Sequence, residues 1–211
     1  MIFHDRQEAG KKLSLALLKY KNDKNTIILG LPRGGVVVAA EIAKALDLPL
    51  DVMVIRKIGA PMNHELAIGA TDELGHMVLN EEIIDSLGVT QDYIDKEKVK
   101  EQKLAEDRLN RYRQNRPPLS LKGKTVVLID DGLATGATMR AAIHSAKGKK
   151  AKKVIVAVPV APPETIEKLR KEADEIVCLD IPAFFGAVGA FYEIFDQTSD
   201  EEVMKLLTHK S

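Results

Sequence analysis

The sequence is poor in the features that define several protein classes. It has one cysteine, which excludes an intramolecular disulfide and a zinc site built from several cysteines. It has no apolar run of about 18 residues, so no membrane-spanning helix is expected. Residues 1–13 lack the apolar core of a secretory signal peptide. These absences predict a cytoplasmic protein without a membrane partner.

An excess of charge of one sign is also missing. The chain has 31 Lys plus Arg and 31 Asp plus Glu, a formal net charge of zero, so no nucleic-acid partner is expected on electrostatic grounds. What is present is an ordinary globular composition, with 45% apolar and 29% charged residues over 211 positions. This length and composition predict one domain that spans residues 1–211.

Apolar runs alternate with helical periodicity in two blocks. The first block follows a helix at 6–20 and contains a strand at 26–30, a tight loop at 32–35, a helix at 36–46 and a strand at 50–55. The second block has strands at 125–130, 154–158 and 175–181, with helices at 138–147 and 163–172 between them. Alternation of this kind predicts an α/β fold with a doubly wound, mainly parallel sheet.

Three further segments do not fit this alternation. Residues 57–80 are predicted to form a long loop with short strands near 66–70 and 76–79. Residues 81–118 are predicted to be a helical insertion, with a charge-dense helix at 92–116. Residues 181–211 are predicted to form a small C-terminal hood that includes the N-terminal residues.

The segment Val126–Thr138 has the strongest functional signal. Four apolar strand residues lead directly into Asp130 and Asp131, and a turn of small residues then leads into a helix that begins near Thr138. Small residues let backbone N–H groups approach an anion, and a helix N-terminus favours phosphate. Two carboxylates beside a phosphate are expected only where hydroxyl groups or a divalent cation also bind. The pattern therefore indicates a ribose phosphate, although an ordinary Asp-Gly turn with a capped helix is the alternative.

Cations follow the first two strands. Arg33, Gly34 and Gly35 after the first strand suit a di-anion, because an arginine side chain can bind phosphate oxygens in a bidentate manner. Arg56 and Lys57 follow the second strand. The alternative is a plain turn with solvated charges.

The segment Val126–Thr138 resembles the phosphoribosyl pyrophosphate (PRPP) binding motif of type I phosphoribosyltransferases. The resemblance implies Mg²⁺ as cofactor, with Asp130 and Asp131 on the ribose hydroxyls and on the metal, directly or through water. It implies PRPP binding by Asp130, Asp131, Gly132, Ala134, Thr135, Gly136, Ala137 and Thr138. Pyrophosphate binding is assigned to Arg33, Gly34, Gly35, Arg56 and Lys57, and the catalytic group to Arg33, Lys57, Asp130 and Asp131. Residues 57–80 take the place of the mobile loop that closes over the site.

The implied reaction transfers ribose 5-phosphate from PRPP to a nitrogenous acceptor, a base or an amine, with release of pyrophosphate. Ala134 stands where hypoxanthine–guanine members have an Asp, and no general base is assignable, so the acceptor stays open. The Pro-Arg-Gly-Gly loop resembles that of uncharacterised bacterial members of the family. The alternatives are a non-catalytic sensor of PRPP or nucleotides and a hydrolase of ribose phosphates.

Two expectations concern the surroundings of this site. Phe184, Phe185, Phe191 and Tyr192 of the hood either form a stacking pocket for a planar base or pack the hood onto the sheet. The protein is also expected to form a homo-oligomer, a dimer.

Overall fold

The computed structural model describes residues 1–114 and 116–208. Residues 209–211 at the end of the predicted hood, and residue 115 of the predicted helix 92–116, lie outside the described residues. The strands are β1 (Thr26–Gly30), β2 (Leu50–Val52), β3 (Arg56–Ala60), β4 (Asn63–Thr71), β5 (Met77–Leu79), β6 (Thr125–Ile129), β7 (Lys153–Val160) and β8 (Glu175–Asp180). The α-helices are α1 (Arg6–Ala16), α2 (Gly34–Leu46), α3 (Glu81–Leu87), α4 (Gln91–Arg113), α5 (Ala137–Gly148), α6 (Pro163–Leu169) and α7 (Asp200–Thr208). Short 3₁₀ helices cover Leu18–Tyr20 and Val188–Phe191.

Five strands form one parallel sheet in the order β2-β1-β6-β7-β8, as the alternation predicted. Helices α1 and α2 cover one face, where Leu13, Ile42 and Leu46 pack against strand residues such as Ile28 and Val127. Helices α5 and α6 cover the other face through the residues Met139, Ile143, Ile166 and Leu169. Burial on both faces explains why these strands are almost continuously apolar. The predicted doubly wound α/β fold is confirmed.

The prediction of a long loop over 57–80 is wrong. Strands β3, β4 and β5 form an antiparallel sheet, and the short strands expected near 66–70 and 76–79 are parts of β4 and β5. Ile58, Ala60 and Ile68 of this sheet pack against Ile84 of α3 and Ile94 of α4. The helical insertion therefore covers the apolar face of this sheet with residues that lie well beyond the sheet in the sequence.

Several element boundaries differ from the predicted ones. The predicted strand 50–55 ends at Val52, because the chain then leaves the parallel sheet for β3. Helix α2 begins at Gly34, so the two glycines of the predicted tight loop form its first turn. Along α4 the apolar residues Ile94, Leu109 and Tyr112 are buried, whereas Leu104 is 42% exposed.

The topology brings two loops together at one edge of the parallel sheet. Helix α2 leads from β1 to β2, and α5 leads from β6 to β7 in the opposite direction, so the sheet reverses its winding between β1 and β6. Ligands in such sheets bind outside the carboxyl ends of the strands at this reversal. Gly30 pairs with Ile129, and the N–H of Leu31 donates to the carbonyl of Ile129 at 2.8 Å. The loops that follow β1 and β6 therefore lie side by side.

No helix within the described ranges is both long and apolar enough to span a membrane.

Candidate functional site

Gly34 and Gly35 bring the start of α2 against the two acids after β6. A Cβ atom at Gly35 would lie 2.8 Å from the Cα of Asp130, and one at Gly34 would lie 1.9 Å from Oδ2 of Asp131. Both distances are shorter than real Cβ contacts, so a larger residue at Gly35 would push the two loops apart and one at Gly34 would displace the Asp131 side chain. The preceding Pro32–Arg33 peptide bond is cis. The structure thus places the predicted glycines and acids in direct contact.

Helix α6 packs against the turn between β6 and α5 and supports it. Gly136 has a φ of 73°, which favours glycine, and a Cβ there would lie 2.7 Å from the methyl carbon of Thr165. The hydroxyl of Thr165 donates to the carbonyl of Ala134 at 2.6 Å. Gly136 cannot cap α5 with a side chain, and Oγ1 of Thr135 lies 3.5 Å from the N–H of Ala137. The N-terminus of α5 is therefore weakly capped and suited to an anion.

Asp131 is bound by an arginine that the sequence did not single out. Nε of Arg6 donates to Oδ2 of Asp131 at 2.7 Å, and the two side chains are only 12% and 16% exposed. Nη1 of Arg6 donates to the carbonyl of Asp196 at 2.7 Å, and its guanidinium lies 3.9 Å from the ring centroid of Phe195. Arg6 begins α1 and is 125 residues from Asp131, so no local pattern could have indicated this pair.

Asp130 lies in a less favourable environment for a carboxylate. Its Oδ1 accepts a hydrogen bond from the N–H of Asp131 at 2.9 Å. Burial, and next the charge of Asp131, raise the pKa of Asp130 well above its usual value. The two adjacent acids therefore differ, because Asp131 has an arginine partner and the pKa of Asp130 is raised.

The predicted cations also divide into two kinds. Arg56 donates from Nε to Oε2 of Glu101 at 2.7 Å, which holds it against α4. Arg33 and Lys57 are exposed and form no ion pair with any residue in the described ranges. After the hydrogen bond from Tyr112, nearby arginines that include Arg33 lower the pKa of Asp200. Arg33 and Lys57 are the predicted cations that remain available to an anion.

Most of the aromatic side chains of the hood pack against other aromatic side chains. Tyr192 is 6% exposed, its ring centroid lies 5.5 Å from that of Phe3, and its hydroxyl donates to the carbonyl of Asp131 at 2.5 Å. Phe185 stacks on Phe191 at 5.3 Å, whereas Phe184 is 93% exposed. The N–H of Phe3 donates to the carbonyl of Phe191, so the N-terminal residues join the hood as expected. Tyr192 supports the second acid rather than lining an open pocket.

The chain is similar to proteins of known family. A crystal structure of the protein TT1426 from Thermus thermophilus shares 44% sequence identity with it, covers 98% of both chains and has a TM-score of 0.85. Proteins named "putative phosphoribosyl transferase" in Mycobacterium tuberculosis strains H37Rv and CDC 1551 are 43% identical over 206 residues. That alignment covers 98% of this chain and 46% of each relative, so the chain spans about half their length.

The family model named phosphoribosyl transferase domain matches residues 3–193, a range that includes both loops of the site and residues 181–193 of the hood. This match confirms the resemblance inferred from the segment Val126–Thr138. The chain belongs to the phosphoribosyl transferase domain family.

Proposed function

We propose that this protein transfers ribose 5-phosphate from PRPP to a nitrogenous acceptor and releases pyrophosphate. The observation that supports this most is the contact between Gly34 and Gly35 at the start of α2 and the acid pair Asp130 and Asp131 after β6. Two helix N-termini and two acids meet at the reversal of the sheet, and we propose that the exposed cations Arg33 and Lys57 complete this group. A substrate with two anionic ends and a diol between them matches that combination.

The 5-phosphate would bind at the N-terminus of α5. The backbone N–H groups of Gly136, Ala137 and Thr138 and the hydroxyl of Thr135 would donate to its oxygens, with Ala134 leaving the turn uncrowded. Gly132 packs against Val188, where a Cβ would lie 2.5 Å from a methyl carbon, and so holds the turn close to the hood.

The pyrophosphate would bind between the start of α2 and β3. Arg33 and Lys57 are exposed, and their charges would stabilise the leaving group as its bond to the anomeric carbon breaks. Arg56 is assigned to the same group, and it would have to exchange its contact with Glu101 for the pyrophosphate. Gly34 and Gly35 would allow the backbone of α2 to approach the phosphate oxygens.

The ribose hydroxyls would donate to Asp131 and Asp130. Arg6 uses Oδ2 of Asp131, which leaves Oδ1 for the substrate. Binding of the hydroxyls and of cations would favour the ionised form of Asp130, and the carboxylates would then offset positive charge that develops at the anomeric carbon.

Mg²⁺ fits these residues as an ion that arrives with its substrate. The described residues contain no group of three His, Cys, Asp or Glu side chains that could hold a metal ion by themselves. Mg²⁺ usually keeps several waters and takes one or two carboxylates together with substrate phosphates. Asp130 and Asp131 offer such a pair, and the bound ion would supply positive charge near the departing pyrophosphate.

The rest of the assignment is also proposed. We propose one domain over residues 1–211, an acceptor site beside the hood, a cytoplasmic homodimer, and an antiparallel sheet β3–β5 that takes the role of the closing loop. Because the curated relatives are about twice as long, the activity of a longer protein is part of this proposal.

A pyrophosphate-release assay with PRPP, Mg²⁺ and a panel of bases and amines tests the proposal. Calorimetry should show that Asp131→Asn weakens PRPP binding in the presence of Mg²⁺ by more than about tenfold, because a charge-assisted hydrogen bond is lost. Asp85→Asn, on the exposed side of α3, is the matched control and should bind PRPP normally. Unchanged binding by Asp131→Asn would refute the assignment.

The same assay separates the alternatives. PRPP binding without pyrophosphate release across the whole panel would support a sensor. Release of phosphate or of ribose products without any acceptor would support a hydrolase.

A further inference from the structure

A cavity of about 520 Å³ is lined by residues other than those assigned to the site described above. None of its lining residues belongs to the loops after β1 or β6. Leu121 precedes β6 and Lys149 follows α5, so these walls lie at the amino end of the sheet, whereas Leu29 and Met53 lie near the carboxyl ends of β1 and β2. The apolar part of its wall includes Leu29, Met53, Leu74, Leu109, Leu119 and Leu121. Its volume suits a small organic ligand.

One polar atom in this wall is unusual. Oε2 of Glu73 is buried and has no hydrogen-bond partner, the one such side-chain atom found over the described part of the chain. The other carboxylate oxygen, Oε1, accepts a hydrogen bond from Nζ of Lys149 at 2.8 Å, and the backbone carbonyl of Glu73 accepts one from Nε2 of Gln102 at 3.2 Å. The carboxylate is therefore fixed in place with one oxygen unsatisfied. A buried acceptor of this kind is costly unless a donor reaches it.

The charges around this oxygen favour a cation. Asp72 and Glu73 share the ammonium of Lys149, at 3.4 Å and 2.8 Å. Elsewhere in the wall Asp51 is matched by Arg113 at 2.9 Å. One ammonium against two carboxylates leaves an excess of negative charge beside the unsatisfied oxygen.

We propose that this cavity is a second ligand site that takes a small organic amine with a flat apolar body. Its ammonium group pairs with the carboxylate of Glu73, and its apolar part packs against the leucines of the wall. The proposal does not rest on the transferase function, because it uses none of the residues assigned to PRPP.

The absence of tryptophan makes this site easy to probe, since the fluorescence of an indole ligand has no tryptophan background from the protein. Anisotropy titrations would compare tryptamine with its neutral and anionic analogues, tryptophol and indole-3-propionate. Tryptamine should bind saturably with a Kd of about 1 mM or tighter, about tenfold or more below that of tryptophol, and indole-3-propionate should bind most weakly.

Two variants locate the site. Glu73→Gln should raise the Kd for tryptamine about tenfold or more and leave that for tryptophol nearly unchanged. Its matched control is Glu167→Gln, which alters an exposed carboxylate on α6. Asn110→Phe, at an exposed position of α4 in the cavity wall, should fill the space and abolish binding of both probes while the fold is kept.

Asp131→Asn should bind tryptamine as the parent protein does, which separates this site from the proposed PRPP site. The proposal is overturned if tryptamine does not bind saturably, if the three probes bind equally, or if Glu73→Gln and Asn110→Phe leave tryptamine binding unchanged.

Discussion

Two aspartates, the fully buried Asp72 and the partly buried Asp130, have opposite pKa shifts in the same molecule. Asp72 is fully buried, and Oδ2 accepts from Oγ of Ser145 at 2.5 Å and from Nδ1 of His76 at 2.9 Å. Its Oδ1 accepts from the N–H groups of Leu74 and His76, both at 2.9 Å. Although burial raises the pKa of Asp72, the hydrogen bonds from Ser145 and His76 leave it below the usual value.

Asp130 has fewer donors, and its pKa is raised by burial and by the charge of Asp131. The difference shows that donors, and not burial alone, decide whether a carboxylate stabilises the fold. A buried acid whose donors all come from the protein is structural. A buried acid that lacks donors is a candidate for binding a ligand.

The largest effect is expected from Asp72→Ala. The change leaves several buried donors without an acceptor, so it should lower the free energy of unfolding by about 3 kcal/mol. Urea denaturation measures this loss, and Asp85→Ala at an exposed position of α3 should change stability by less than about 0.5 kcal/mol. If Asp72→Ala lowered the free energy of unfolding as little as the control does, the structural role given to Asp72 would be contradicted.

The neighbours Asp130 and Asp131 should respond to the same substitution with opposite signs. Asp131→Asn leaves Arg6 without its charged partner and should cost about 2 kcal/mol. Asp130→Asn removes an unfavourable buried charge and should stabilise the free protein by about 1 kcal/mol at pH 8. Thermal unfolding of both variants without ligand checks the signs, and destabilisation by Asp130→Asn would show that its carboxylate is well satisfied.

The two aspartates should also differ in pH dependence. The pKa of Asp72 is lowered, so its contribution is present above about pH 4, the unfolded value, and is lost as pH falls below that. The pKa of Asp130 is raised, so its ionisation costs stability as pH rises above about 4 through the higher folded value. Urea titrations of Asp72→Asn, Asp130→Asn and the parent protein from pH 3 to pH 8 would measure both contributions, and parallel curves would contradict them.

Glu175 offers a more exposed test of the same rule. Burial raises its pKa, but hydrogen bonds from Lys153, Lys19 and Tyr20 outweigh this and lower the value to about 2. Glu175→Gln should therefore cost a smaller amount, about 1 kcal/mol, because its side chain is 21% exposed and solvent screens the ion pairs. The loss should disappear as the pH falls from about 4 to about 2, and 1 M salt should reduce it.

The parts of the fold that local patterns encode could be predicted. Apolar strands followed by turns and amphipathic helices indicated the parallel sheet, and the segments Arg33–Gly35 and Val126–Thr138 indicated the two loops at its edge. The structure places both loops in contact, which the sequence implied only through the order of strands.

The remaining features depend on contacts between distant residues. The antiparallel sheet was missed because glycines interrupt its alternation, and because its apolar wall comes from Ile84 and Ile94. Arg6 was missed because nothing in the neighbouring sequence distinguishes it from other charged residues, and only the fold brings it to Asp131. The unsatisfied oxygen of Glu73 likewise has no signature in the residues beside it.

The bonds of Asp72 have a further consequence for the antiparallel sheet. They fasten the β4–β5 end of this sheet to α5, while the opposite tip at Met62 is 97% exposed. Lys57 pairs with Ala70, next to the fastened end. We expect hydrogen exchange to be slow near Thr71 and at Ala60, which packs against α3 and α4, and to be fastest at Met62, so that only the exposed tip fluctuates while Lys57 keeps a constant distance from the parallel sheet.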